Sequence, residues 1–169
     1  MYKSIGVTGV LVLVGGCAAS SIIPEQLNPG AKETMTLIVP AKGVQIYECR
    51  ANKAGAYEWA FVAPEAELFD TTGKPIGKHY AGPSWEASDG SKIAGATKAR
   101  ADAPAANAIP WLLLGAKSVG GEGSFSKVTS VQRVNTVGGV APKVGCSYDN
   151  AGTPARIPYS ADYYFFTAK

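Results

Sequence analysis

SWEASDGSKIA (84–94) decides the fold class. In it Trp85-Glu86-Ala87 and Lys92-Ile93-Ala94 flank Ser88-Asp89-Gly90-Ser91. Asp-Gly between two such runs is among the strongest short signals for a β-hairpin, because a tight turn needs residues that tolerate positive φ. Just upstream, Asp70-Thr71-Thr72-Gly73-Lys74-Pro75 separates Leu68-Phe69 from Ile76 to Tyr80. That stretch can turn but cannot continue a central strand, so a second hairpin is expected. Farther back, Val44 to Cys49, with Val44 and Ile46 read as the apolar set, has the two-residue period of half-buried strands. So do Tyr57, Trp59 and Phe61, which alternate with Glu58 and Ala60.

Downstream, Ile109–Ala116 and Phe125–Val134 are parted by Gly120-Gly121-Glu122-Gly123, and the run Ile157–Phe166 carries Tyr159, Tyr163, Tyr164, Phe165 and Phe166. Thr97–Asn107 is rich in alanine, but Pro104 interrupts it and no helical apolar stripe appears, so it reads as a surface loop. About eight short strands with glycine-rich loops and little helix give an all-β class, a single antiparallel β-sandwich or barrel over residues 32–169.

The composition agrees with one folded domain: of 169 residues, 46% are apolar and 17% charged. At this size a domain buries roughly 68–70% of the surface its unfolded chain exposes. One histidine, three cysteines and no CxxC argue against a multi-histidine metal centre, a zinc ribbon and haem attachment, so neither metal nor cofactor is expected. The formal charge is only +3 and the basic residues are scattered, which is no footprint for nucleic acid.

The N-terminus reads as an address. Met1-Tyr2-Lys3 is a short positive region, Ile5–Val14 is apolar but shorter than a membrane-spanning helix, and Val14-Gly15-Gly16-Cys17 follows. An apolar residue, two small residues and cysteine resemble the bacterial lipobox. Residues 1–16 are therefore expected to be a lipoprotein signal peptide, Cys17 the lipidated residue and 17–31 a polar linker. The protein would then be exported, as an outer-membrane or periplasmic lipoprotein touching the membrane only through its lipid anchor, or otherwise secreted. Ala18, where an aspartate would favour retention at the inner membrane, points to the outer membrane.

Export puts Cys49 and Cys146 in an oxidising compartment, where free exposed thiols are disfavoured. A structural disulfide is expected over two buried thiols or a redox pair, since redox pairs usually lie close in sequence. It would close a loop of roughly 100 residues, worth roughly 4–5 kcal/mol on the chain-entropy account.

The segments VQIYECRA (44–51), YEWAFVAPEAELFD (57–70), GKHYAGPSWEASDGSKI (77–93), AIPWLLLGA (108–116), VTSVQRVNTVGGVAP (128–142) and PYSADYYFF (158–166) together resemble the domain of unknown function 3455 family of secreted bacterial and fungal proteins. The resemblance implies no activity. A dehydrogenase label attached to some fungal members finds no support, because no GxGxxG lies between a strand and a helix and Gly120, Gly121 and Gly123 follow another spacing.

Two patches concentrate polar side chains beside glycine. In the first, His79 and Tyr80 lead through Gly82-Pro83 to Trp85, Glu86 and Asp89, a set in which histidine could act as general base with Glu86 or Asp89. In the second, Gln132, Arg133, Asn135 and Thr136 precede Gly138-Gly139. The plain alternative there is a strand end with a bulge and Arg133 in an ion pair with Glu48 or Asp162. The residues expected to bind a ligand are His79, Tyr80, Trp85, Arg133 and Asn135, with the two patches adjacent around the main concave surface. The leading functional expectation is a cell-envelope module that binds a small molecule, a glycan or a partner protein. An envelope hydrolase or isomerase using His79 with Glu86 or Asp89 is the alternative, and a purely structural lipoprotein the third reading.

Overall fold

Each of these turns joins neighbouring strands, and the sheet then closes on itself. The computed structural model describes residues 22–169, so the leader and Cys17 lie outside the described residues. The strands are β1 (Glu33–Ala51), β2 (Tyr57–Phe69), β3 (Pro75–Tyr80), β4 (Ser84–Ala87), β5 (Lys92–Ala101), β6 (Trp111–Ser118), β7 (Val128–Gly138) and β8 (Pro154–Ala168). All neighbours are antiparallel, in sequence order, in a closed barrel. Closure comes from β1 and β8, which pair from Glu33↔Ala168 to Glu48↔Pro154. A barrel of eight strands is just wide enough to be filled by side chains or to hold one small ligand.

Alternate residues face inward, among them Val39 and Ala41 of β1, Leu68 of β2, Trp85 of β4, Ile93 of β5, Leu114 of β6, Val131 of β7 and Tyr163 and Phe165 of β8. The indole of Trp85 spans the interior because it lies over Gly95, two residues beyond its partner Ile93 on β5, where a Cβ would come within 2.8 Å of the ring. Outside the barrel, a 3-10 turn at Glu25–Leu27 docks on the wall. Leu27 is buried there with Trp111, Leu113 and Val134, and its carbonyl accepts a 2.6 Å bond from Gln132 Nε2. A second 3-10 turn covers Tyr148–Asn150.

Three local expectations are corrected. Thr97–Ala101 is not a surface loop but the second half of β5; a bulge between Thr97 and Ala99 lets small Ala99 and Ala101 pack against the Leu27 cluster. In β1 the buried set is Gln45, Tyr47 and Cys49, with Val44 and Ile46 on the outer face, because the same frame that buries Val39 and Ala41 continues to Cys49. Arg133 forms no ion pair with Glu48 or Asp162: Glu48 pairs with Arg50 and Asp162 accepts from Asn135.

The loops alternate between the two ends. At one end Phe125, from the β6–β7 connection, inserts into the barrel and packs edge-on against Phe165 at 4.8 Å. Asp89 latches it: Oδ1 accepts from Ser91 Oγ and Oδ2 from Ser124 Oγ, both at 2.6 Å. Ser91 Oγ in turn accepts from the Phe125 amide at 3.0 Å. The bonds from the two serines hold the Asp89 carboxyl well below the usual carboxylate range. At the other end the long β7–β8 connection is tied to β1 by the Cys49–Cys146 disulfide, with Cα atoms 5.3 Å apart. Trp59 Nε1 also donates to the Val144 carbonyl in this connection, at 3.0 Å.

Candidate functional site

The end opposite Phe125 contains a cavity of about 320 Å³. Its wall draws on β1 (Gln45), β2 (Pro64), β3 (His79), β4 (Trp85), β6 (Leu112, Leu114), β7 (Arg133) and β8 (Tyr163). Phe61 and Val62, 54% and 44% exposed, mark its lip. Side chains of this size standing in water at the edge of a concavity suit an entrance through which apolar surface passes.

His79, Trp85 and Arg133, which the sequence places in separate patches, line this one cavity. His79 stacks on Trp85 with ring centroids 4.5 Å apart and meets Tyr163 edge-on at 5.0 Å. Its Nδ1 lies 2.9 Å from the Ser84 carbonyl oxygen. That contact requires the proton on Nδ1 and leaves Nε2 as the acceptor. Burial pushes the imidazole down to about 3, with the Arg133 charge acting in the same direction. At neutral pH His79 is therefore an uncharged aromatic wall residue.

Arg133 shares the inward face of β7 with Val131 and pairs with Leu112 across the ladder. Its Nε and Nη2 donate to the Pro110 carbonyl at 3.1 and 2.8 Å. This takes two of the five N–H donors of the guanidinium. No carboxylate lines the cavity, and Arg133 has no ion-pair partner among the described residues. Burial raises the hydroxyls of Tyr47, Tyr159 and Tyr163, and in each case the Arg133 charge opposes the rise. One positive charge thus acts on the whole aromatic interior at this end.

Gln45 is the residue that the sequence reading passed over. It is 2% exposed, and its Nε2 has no hydrogen-bond partner among the described residues. Its amide lies close enough to Tyr159 to favour the phenolate, yet its Nε2 makes no well-formed hydrogen bond. The signal for Gln45 was its place in frame with Tyr47 and Cys49 rather than with Val44.

The remaining candidates lie elsewhere. Tyr80 and Glu86 are on the outer face, where the Tyr80 hydroxyl bonds Glu86 Oε2 and Lys92 Nζ sits 5.0 Å from the tyrosine ring centroid. Asp89 is in the latch at the plugged end. Neither acid is brought to the ring of His79, which alternates to the inside of β3 while Lys78, opposite Glu86, faces out. Asn135 has φ 51° at the bulge that breaks the β7 register, and this turns its side chain outward onto Asp162 at 2.9 Å. A larger, more open depression of about 710 Å³ over β1–β4 is edged by Lys42, Glu67, Lys78, Glu86 and Arg156. Its acids and bases interleave and present no single sign of charge, so the mouth cavity is the better defined site. No group of histidine, cysteine or carboxylate side chains that could hold a metal occurs among the described residues.

The family described as protein of unknown function (DUF3455) matches residues 29–167. The chain belongs to this family. The match begins just before β1 and ends within β8, so in this DUF3455 protein it spans the whole barrel, the cavity and the disulfide. No curated protein and no solved structure matches the chain.

Proposed function

We propose that this DUF3455 protein is an exported cell-envelope binding barrel that takes a small molecule into its open mouth. The observation that carries the reading is the cavity of about 320 Å³ walled by Trp85, Leu112, Leu114 and Tyr163 with few polar groups among them. Sites for small molecules have this character and start at about this size. Export is supported by VGGC at residues 14–17 behind an apolar run and by a disulfide, which persists in oxidising compartments. Lipidation of Cys17 belongs to the same reading, and intact mass spectrometry of the mature protein tests it: a free N-terminus at Ala18 or beyond contradicts it.

Binding is tested by thermal melting with N-phenylnaphthylamine, a small neutral aromatic probe. A ligand that binds only the native state raises the melting temperature by mass action. The wild type is expected to shift upward, and Leu112→Trp, which fills the cavity, is expected not to. A wild-type melting temperature indifferent to the probe contradicts the reading.

A further inference from the structure

Arg133 stands half-buried in the cavity wall without a counter-charge among the described residues. A guanidinium drawn partly out of bulk water, as this one is, is ordinarily paired with a carboxylate. Here it is fixed by neutral groups, the Pro110 carbonyl and the neighbouring Tyr163 hydroxyl, inside a wall that carries no acid. Gln45 adds an independent anomaly in the same wall, a buried amide nitrogen without an acceptor. Leaving such a donor unmade costs about 1–3 kcal/mol. Both deficits have the same sign: the cavity holds donors and positive charge and lacks a negatively charged acceptor.

We infer that the ligand of the mouth cavity is a small organic anion, its oxyanion head held by Arg133 and Gln45 and its apolar body lying against Trp85, Leu112 and Leu114. The inference rests on the small-molecule reading above and specifies the chemistry of that site. The head supplies the two lone-pair positions that a guanidinium fork matches, and further acceptor capacity remains for the Gln45 amide. The body meets a flat surface: the Trp85 indole, continued by the stacked His79 ring. Because His79 is neutral and donates through Nδ1 to the protein backbone, the charge recognising the head belongs to Arg133. A volume of about 320 Å³ suits one or two small ring systems or a short chain, not a diacyl lipid.

The pair of probes that decides this is N-phenylnaphthylamine and anilinonaphthalene sulfonate, which differ by the sulfonate. Fluorescence titration of the wild type is expected to give at least tenfold tighter binding of the sulfonate, the equivalent of 1.4 kcal/mol. Arg133→Met should remove that preference while leaving the affinity for the neutral probe within about twofold, and Arg133→Lys should keep part of it. Leu112→Trp should abolish both. Equal affinity of the wild type for the two probes, or preference for the neutral one, overturns the anion inference and leaves the small-molecule reading standing. Failure of both probes to bind overturns the two together. A sulfonate preference that survives Arg133→Met or Leu112→Trp places the anion elsewhere and overturns the inference as well. Should Arg133→Met not fold, the wild-type comparison and the Leu112→Trp control still decide.

Discussion

The two ends of the barrel solve the same problem in opposite ways. At the plugged end the latch is partnered throughout: the Asp89 oxygens accept from Ser91 and Ser124, the Ser91 hydroxyl accepts from the Phe125 amide, and the phenyl ring fills the space between the strands. At the mouth the wall keeps a guanidinium with no counter-charge and an amide with no acceptor, and the side chains stop short of filling the space. Satisfied donors and close packing are what stability requires. Their omission around the mouth cavity, in a barrel whose other end is latched and plugged, separates the part of the interior that holds the fold from the part that is available to a ligand.

The largest effect should come from the covalent brace that holds the mouth without filling it. Replacing Cys49 and Cys146 together by serine opens a loop spanning 97 residues, and urea denaturation should show a loss of roughly 4–5 kcal/mol on the chain-entropy account. Phe125→Ala comes next. Emptying the plug should cost about 3–5 kcal/mol in the same measurement while the affinity of the mouth for N-phenylnaphthylamine stays unchanged. A loss below about 1 kcal/mol would break the comparison, since it would mean that the plug is no better packed than an exposed site.

His79 gives a pH signature of intermediate size. Its folded value lies at about 3, below the ordinary 6.5. Above pH 6.5 the ring is neutral in both folded and unfolded chains, and the stability is fully present. As pH falls from 6.5 towards 3 the unfolded chain takes up a proton that the folded barrel refuses, so stability drops, by an amount on the order of a few kcal/mol. Denaturant midpoints measured across this range should fall less steeply in His79→Phe than in the wild type. Parallel profiles would contradict a buried neutral imidazole.

Arg133→Met should have the smallest effect on stability, within about 1 kcal/mol. It removes two bonds to the Pro110 carbonyl but also relieves an unpaired charge. A loss of several kcal/mol would convert Arg133 into part of the scaffold and erase the distinction between the two ends.

The turns were legible because they are local chemistry. Asp89-Gly90 and Asp70 to Pro75 specify their hairpins through residues that tolerate or impose particular backbone angles, and both form. Closure was not legible as barrel rather than sandwich, because it depends on β1 meeting β8 across the whole chain, a pairing that no local pattern encodes. The face of β1 was misjudged for a related reason: Val44 and Ile46 are more apolar than Gln45, but the frame running from Val39 through Cys49 sets which side is inside. Arg133 and Asn135 look equivalent in a two-residue alternation, yet the bulge between Val134 and Val137 sends one inward and the other outward. Bulges are exceptions to the period, so a periodic reading cannot place the residues beyond them.

Amide and side-chain NMR during titration with N-phenylnaphthylamine compares the two ends most directly. The account predicts that the Trp85 indole, the Gln45 side-chain amide and the Leu112 and Leu114 resonances move with saturation, while the amides of Ser91, Ser124 and Phe125 stay in place. Shifts centred on Phe125, or confined to the outer groove lined by Lys42, Glu67 and Lys78, would contradict it.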